Sequence, residues 1–177
     1  MEFDALIRER RSIRQYDANR KAAAEQIREI VSAAQEAPSW KNSQTARYYA
    51  ILSEEMLEQF AKTCLPERNA KKAENAALVV TTFVKDTAGF TQGKPDNECG
   101  NGWGFYDLGL HNALFLLKAK ELGLDTLVMG LRDSDAIRSL LKTPESETVV
   151  SVIAVGYAAQ PAVRPARKPL DDILTFY

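Results

Sequence analysis

Apolar residues recur along the chain with two different periods, and the change of period marks out its elements. Residues 2–9 place Phe3, Leu6 and Ile7 on one face of a short helix. After the polar stretch 14–20, Ile27, Ile30, Val31 and Ala34 stand at i, i+3, i+4 and i+7. That is the spacing of one buried stripe, and it predicts a helix over about 21–36. Pro38 stops it; 37–45 reads as a polar loop, 47–52 as a strand and 54–62 as a third helix. The run 77–84 is β-favouring, apolar on both faces and too short for a typical helix, the pattern of a central strand covered on both sides.

Residues 85–104 are rich in Gly, Asp, Asn and Thr and predict a long surface excursion, a kind of loop that is more often functional than idle. The next segment, 105–122, is the most apolar helix, closed by Gly123. Its apolar residues cover nearly the whole circumference, which predicts either the centre of a large core or a subunit interface, with the interface favoured in a chain of this size. A short strand follows over 125–129, then a helix over 133–141 capped by Asp133 or Ser134, then an internal strand over 148–155. Three prolines in 157–169 forbid a helix or central strand there. The tail is therefore an extended arm, and Leu170, Ile173, Leu174 and Phe176 at its end need a surface to cover them.

Composition narrows the function. The 177 residues carry 23 Lys+Arg against 24 Asp+Glu, and this balance disfavours a nucleic-acid partner. One histidine and two cysteines at no metal-ligand spacing assemble no zinc site, and so few cysteines fit a reducing compartment. The N-terminal residues show no signal-peptide pattern and 105–122 is too interrupted by polar residues to span a bilayer, so a soluble, cytoplasmic protein is expected. His111, the only histidine, lies within the apolar helix, where a structural or interface hydrogen bond is the expected role, away from any pocket mouth. The stretch Gly100-Asn101-Gly102-Trp103-Gly104 has neither the spacing nor the preceding strand of a dinucleotide fingerprint.

Two segments could carry chemistry. Arg8-Glu9-Arg10-Arg11-Ser12-Ile13-Arg14 gathers guanidinium forks around a hydroxyl, a set suited to a phosphate monoester. By composition alone a solvated helix end is the favoured reading. Ala37-Pro38-Ser39-Trp40-Lys41-Asn42-Ser43-Gln44 is dense in amides and hydroxyls able to read the edge of a flat ring, although taken alone a helix-ending turn is the favoured reading.

Together these segments resemble one family. Arg10-Arg11-Ser12-Ile13-Arg14, the 37–44 loop, the helix bearing Leu108, Asn112 and Gly123-Leu124, and the closing Gly156-Tyr157 through Arg167-Lys168-Pro169-Leu170 follow the motif order of the FMN-dependent nitroreductases. The resemblance implies an α+β fold, a nitroreductase-like central mixed sheet flanked by helices, forming one FMN-binding domain over 1–177. It implies a homodimer that exchanges C-terminal arms (about 157–177) and holds FMN at its interface. It also implies NAD(P)H as co-substrate and nitroaromatics, quinones or related small electron-poor molecules as acceptors, the hydride passing through flavin N5 with no catalytic residue of the protein's own. Carried over by motif, Arg10, Arg11, Ser12 and Arg14 would hold the phosphate and ribityl end and reach the pyrimidine side of the ring. Pro38, Ser39, Trp40 and Asn42 would come from the partner. Asn69 and Lys72 would stand near the ring, Met129-Gly130 would offer backbone near N5, and Arg167 would return to the phosphate. Trp40 in place of a smaller residue, Thr45-Ala46 in place of Pro-Trp, and a short middle segment depart from the pattern. They leave room for a flavin-binding dimer without turnover, a carrier or sensor.

Overall fold

A computed structural model describes residues 2–177. The helices are α1 (Phe3–Glu9), α2 (Ala24–Gln35), α3 (Glu54–Cys64), α4 (Glu67–Lys72), α5 (Gly102–Glu121) and α6 (Ser134–Leu141). The strands are β1 (Ala46–Ile51), β2 (Ala77–Val84), β3 (Phe90–Thr91), β4 (Lys94–Pro95), β5 (Asp125–Met129) and β6 (Glu147–Gly156). Four of them form one sheet in the order β1-β2-β6-β5, every pair antiparallel. The parallel element expected of a mixed sheet is reduced to a single bridge, Ser12 to Thr126, on the outer side of β5.

The sheet is covered on both faces because its central strands are apolar on both. Leu78 and Val80 of β2 and Val152 and Ala154 of β6 pack with Phe60, Cys64, Leu65 and Ile137 from the α3, α4 and α6 side. The alternate residues Val79, Ile153 and Val155 pack with Ile27, Ile30 and Ala34 of α2 and Phe115 and Ala119 of α5. Strand β2 is the segment read as a central strand, and it lies between β1 and β6 with the expected bounds. The predicted stripe of α2 is buried at Ile27, Ile30 and Ala34. Asp133 caps α6, accepting from the backbone N–H groups of Asp135 and Ala136.

Several local features escape the periodic reading. Helix α4 has six residues, and no periodic signal announced it. The 85–104 excursion folds into the β3–β4 hairpin and then into the first turn of α5. The Gly-rich stretch there has a packing cause: a Cβ on Gly104 would lie 2.3 Å from the Phe83 ring. In α5 the buried residues include Leu108, His111, Phe115 and Ala119, while Phe105, Tyr106, Gly109 and Ala113 face outward. The tail beyond residue 158 is exposed throughout, with Leu170, Ile173 and Phe176 at 63%, 69% and 86% of full exposure, so within one chain the arm covers nothing with its apolar end.

Candidate functional site

The two segments singled out by sequence stand at opposite corners of the sheet. Ser12 sits beside Thr126, in register with Val155 and Ala77, outside β5. The 37–45 loop leads into Ala46, which pairs with Phe83 at the other end of β2 and begins the opposite edge strand. Four strand spacings across and six residues along separate these rows, a diagonal of about 27 Å.

The first corner is a collection of arginines. Arg10 ends α1, its N–H donating to Leu6 O, and Ile13 N–H donates to Thr126 O, so 10–14 runs extended along the sheet edge. Side chains then alternate: Arg11 lines one cleft with Lys120, Asp125 and Gln160, and Arg14 lines another with Lys72. Around Arg11 stand Arg164, Arg10 and Arg167, with Glu9 as the nearby carboxylate. Partial desolvation first, and then these three guanidinium groups, hold its own guanidinium below the ordinary arginine range. The tail thus brings Arg167 near Arg11 at the first corner. None of these arginines belongs to an ion pair found among the described residues.

Arg14 faces α4 across a cleft of about 390 Å³ that Gln15, Tyr16, Arg68, Lys71, Lys72, Glu74 and Asn75 complete. Asn69 is buried on α4, and its Nδ2 donates to Leu131 O at 2.9 Å, fastening α4 to the segment that follows β5. One of its two amide N–H groups is therefore committed to backbone. Met129 buries its side chain in the core and offers only backbone outward, whereas Gly130 is exposed with open space where a Cβ would be. The Gly130 carbonyl accepts from Arg132 Nη1. Arg14, Lys72 and the 129–130 backbone are thus gathered on one side of the molecule, with Asn69 as the tie between them.

The second corner is a tethered loop. Trp40 N–H donates to the buried carboxylate of Asp107 on α5 at 2.8 Å, and the Trp40 ring lies 4.4 Å from Trp103. Ser39 Oγ accepts from Gln44 N–H at 3.0 Å, and Lys41 Nζ pairs with Asp96 beyond the β3–β4 hairpin. Thr91 first, and then Lys41, hold the Asp96 carboxyl below the usual carboxylate range. Lys41, Asn42 and Gln44 adopt φ of 48°, 55° and 47°, a left-handed run of non-glycine residues that stores strain of the kind found at functional sites. Pro38 and Asn42 point to solvent. Ser43 Oγ and Thr45 Oγ1 are buried with no hydrogen-bond partner among the described residues, so the loop holds polar atoms that its own fold leaves unsatisfied.

His111 departs from expectation. It is buried, and its Nδ1 must be the donor to the Asp107 carbonyl at 2.9 Å, because a carbonyl can only accept. It also lines a cleft of about 560 Å³ with Gln35, Ser43, Gln44, Arg47 and Tyr48. Sequence reasoning also missed Arg68 and Lys71, whose signal was there in the Arg68-x-x-Lys71-Lys72 spacing once 67–72 is helical. Asp107, the anchor of the loop, carried no signal beyond being an acid in an apolar helix. Among the described residues no cluster of His, Cys, Asp and Glu could hold a metal, and no helix is long and apolar enough to cross a membrane.

The architecture agrees with the comparisons. The nitroreductase family model matches residues 7–157, and the chain belongs to that family. An Archaeoglobus fulgidus relative, whose provisional name pairs NADH dehydrogenase with NAD(P)H nitroreductase, is 30% identical over 86% of this chain and 83% of its own length. Among solved structures, a nitroreductase family protein from Streptococcus pneumoniae TIGR4 superposes with a TM-score of 0.85 at 16% identity, covering 99% of this chain and all of its own. One from Exiguobacterium sibiricum, provisionally described as a nitroreductase in complex with FMN, gives 0.82 at 23% identity over 100% and 98% of the two chains.

Proposed function

We propose that the chain is one FMN-binding unit of a cytoplasmic homodimer that oxidises NAD(P)H and reduces nitroaromatics, quinones or related electron-poor acceptors. The observation that carries this reading is the division of the candidate residues between two corners about 27 Å apart, too far for one small ligand but suited to a site completed by a second copy. The fit to FMN rests on the chain's own chemistry. Arg10, Arg11 and Arg167 form a cluster with too few carboxylates to neutralise it, and with Ser12 they suit a phosphate dianion. Arg14 and Lys72 would take the ring's pyrimidine edge, with the Gly130 backbone beside it. Pro38, Ser39, Trp40 and Asn42 of the other copy would cover the ring and ribityl, giving the unpartnered polar atoms of that loop something to bind.

When bound, FMN supplies hydride transfer at N5, first from NAD(P)H and then to the acceptor. The protein's own part is to bind, orient and polarise. The cations favour a negative charge on the reduced ring, the Trp40 loop limits the slot to flat molecules, and no side chain needs to act as acid or base. The exposed apolar arm and the outward face of α5 (Phe105, Tyr106, Gly109, Ala113) are the surfaces a partner would cover.

The test is the absorption spectrum of the purified protein, followed by steady-state oxidation of NADH and NADPH with nitrofurazone or menadione. Flavin absorption with turnover is the expected result. A colourless protein that ignores added FMN overturns the reading, and flavin without turnover leaves a carrier or sensor.

A further inference from the structure

The cleft between residues 14–16 and α4 carries more positive charge than a flavin ring can use. Arg14, Arg68, Lys71 and Lys72 line it against one carboxylate, Glu74. None of the four cations enters an ion pair among the described residues. Arg68, Lys71 and Lys72 stand at i, i+3 and i+4, so the short helix turns all three toward the same side. Their crowding has a signature: desolvation first, then Arg68 and Arg14, hold the Lys72 ammonium below the ordinary lysine range. If Arg14 and Lys72 serve the ring, as the reading above has it, Arg68 and Lys71 are left facing the same cleft outside any ion pair among the described residues, with Glu74 the one carboxylate in its lining.

Their position points to the molecule that meets the ring rather than to a distant part of a dinucleotide. The Asn69 bond to Leu131 O holds α4 against the backbone that follows Met129 and Gly130, so Arg68 and Lys71 are fixed to the same body as the residues assigned to the ring. A cleft of about 390 Å³ is at the small end for ligand sites and accommodates a compact molecule. A guanidinium presents two parallel N–H groups that match a carboxylate, and a nearby ammonium adds a point charge.

We propose that the electron acceptor of this protein carries a carboxylate, held by Arg68 with Lys71 as the second cation. The proposal rests on the oxidoreductase reading and adds to it the charge of the acceptor. Both side chains are exposed, so the selectivity belongs to the range of a solvent-accessible ion pair, roughly fivefold at low ionic strength. It weakens as salt is raised.

The experiment compares 4-nitrobenzoate with 4-nitrobenzamide, two flat molecules of nearly the same shape that differ in charge. Dissociation constants are measured by calorimetry on the protein as purified, after its flavin spectrum is recorded, and then kcat/KM is measured with each acceptor. The expected result is tighter binding and higher kcat/KM for the carboxylate, an advantage lost in Arg68→Gln/Lys71→Gln while the amide is unaffected. Equal constants for the two acceptors, or a preference that survives the double substitution, overturn the proposal. If both acceptors turn over equally on a yellow protein, the oxidoreductase reading stands and the acceptor proposal alone falls. So it does if the double substitution changes only a preference for NADPH over NADH, which would give the two cations to the reductant. Without flavin bands, a carboxylate preference abolished by the double substitution still supports the anion site while removing the oxidoreductase reading.

Discussion

The arginine corner and the tryptophan corner are built on opposite principles. At the first, Arg10, Arg11, Arg164 and Arg167 gather with little opposing charge, a local electrostatic cost that a bound anion would relieve. At the second, the loop is tethered by its own contacts: Trp40 with Asp107 and Trp103, Lys41 with Asp96, Ser39 with Gln44. The first is poised to attract a ligand, and the second is shaped to receive one. If a second copy brings the two corners together, as proposed, binding depends on assembly, since neither corner carries both charge and cover.

The largest expected effect comes from removing what joins the corners. Ending the chain after Gln160 deletes Arg164 and Arg167 together with Leu170, Ile173, Leu174 and Phe176, apolar side chains each worth about 1.5–3 kcal/mol when fully buried. The truncated protein should elute as a monomer and lose its FMN; a flavin-loaded dimer by light scattering would show that the arm does neither job.

Single substitutions should then separate the corners by their response to salt. Arg10→Ala should weaken FMN by about 1.5–3 kcal/mol, the range for hydrogen bonds to charged groups, and the loss should shrink at high ionic strength. Trp40→Ala should weaken FMN by a comparable or smaller factor with little dependence on salt. Flavin-fluorescence titrations at two ionic strengths check both, and identical salt responses would erase the distinction.

Gly104→Ala probes the ground beneath the second corner. The added methyl would stand 2.3 Å from Phe83, and overpacking of this kind typically costs about 1–3 kcal/mol. Thermal melts should register the loss, with the affinity of the arginine corner for inorganic phosphate unchanged.

The smallest effect concerns Lys72. If it stands beside the ring, Lys72→Met should lower the flavin midpoint potential by a few tens of millivolts, since ~30 mV corresponds to ~1.4 kcal/mol for a two-electron couple. Solvent keeps the change well below what a buried charge would give. A potential unchanged with FMN still bound would leave Arg14 as the cation at the ring.

The unequal legibility of the corners in the sequence follows from the same contrast. Arg10-Arg11-Ser12-Ile13-Arg14 is contiguous, so its charge density can be read directly; strands β2 and β5 were equally plain because apolar runs report burial without knowledge of neighbours. The tryptophan corner depends on residues distant in the chain. Asp107 and Trp103 meet Trp40 only because α5 packs beside the loop, and no local pattern encodes that meeting. Helix α4 was invisible for a related reason: six mostly polar residues have no apolar period, and the Asn69 bond to Leu131 O holds them against the rest of the fold. His111 misled because burial in an apolar helix says nothing of what lies beyond its ring, and the cleft there is made by Gln35, Ser43, Gln44 and Arg47.

The central claim, that one FMN site takes its cations from one chain and its cover from another, can be tested with a single hybrid. Chains carrying Arg10→Ala/Arg14→Ala and chains carrying Trp40→Ala/Asn42→Ala, each defective alone, are given different tags and purified as the mixed dimer. One site of that dimer then collects every substitution and the other is fully wild type. The account predicts that the hybrid recovers FMN in half of its sites, with wild-type affinity. A hybrid as empty as its two parents would contradict it and place both corners' contributions within a single chain.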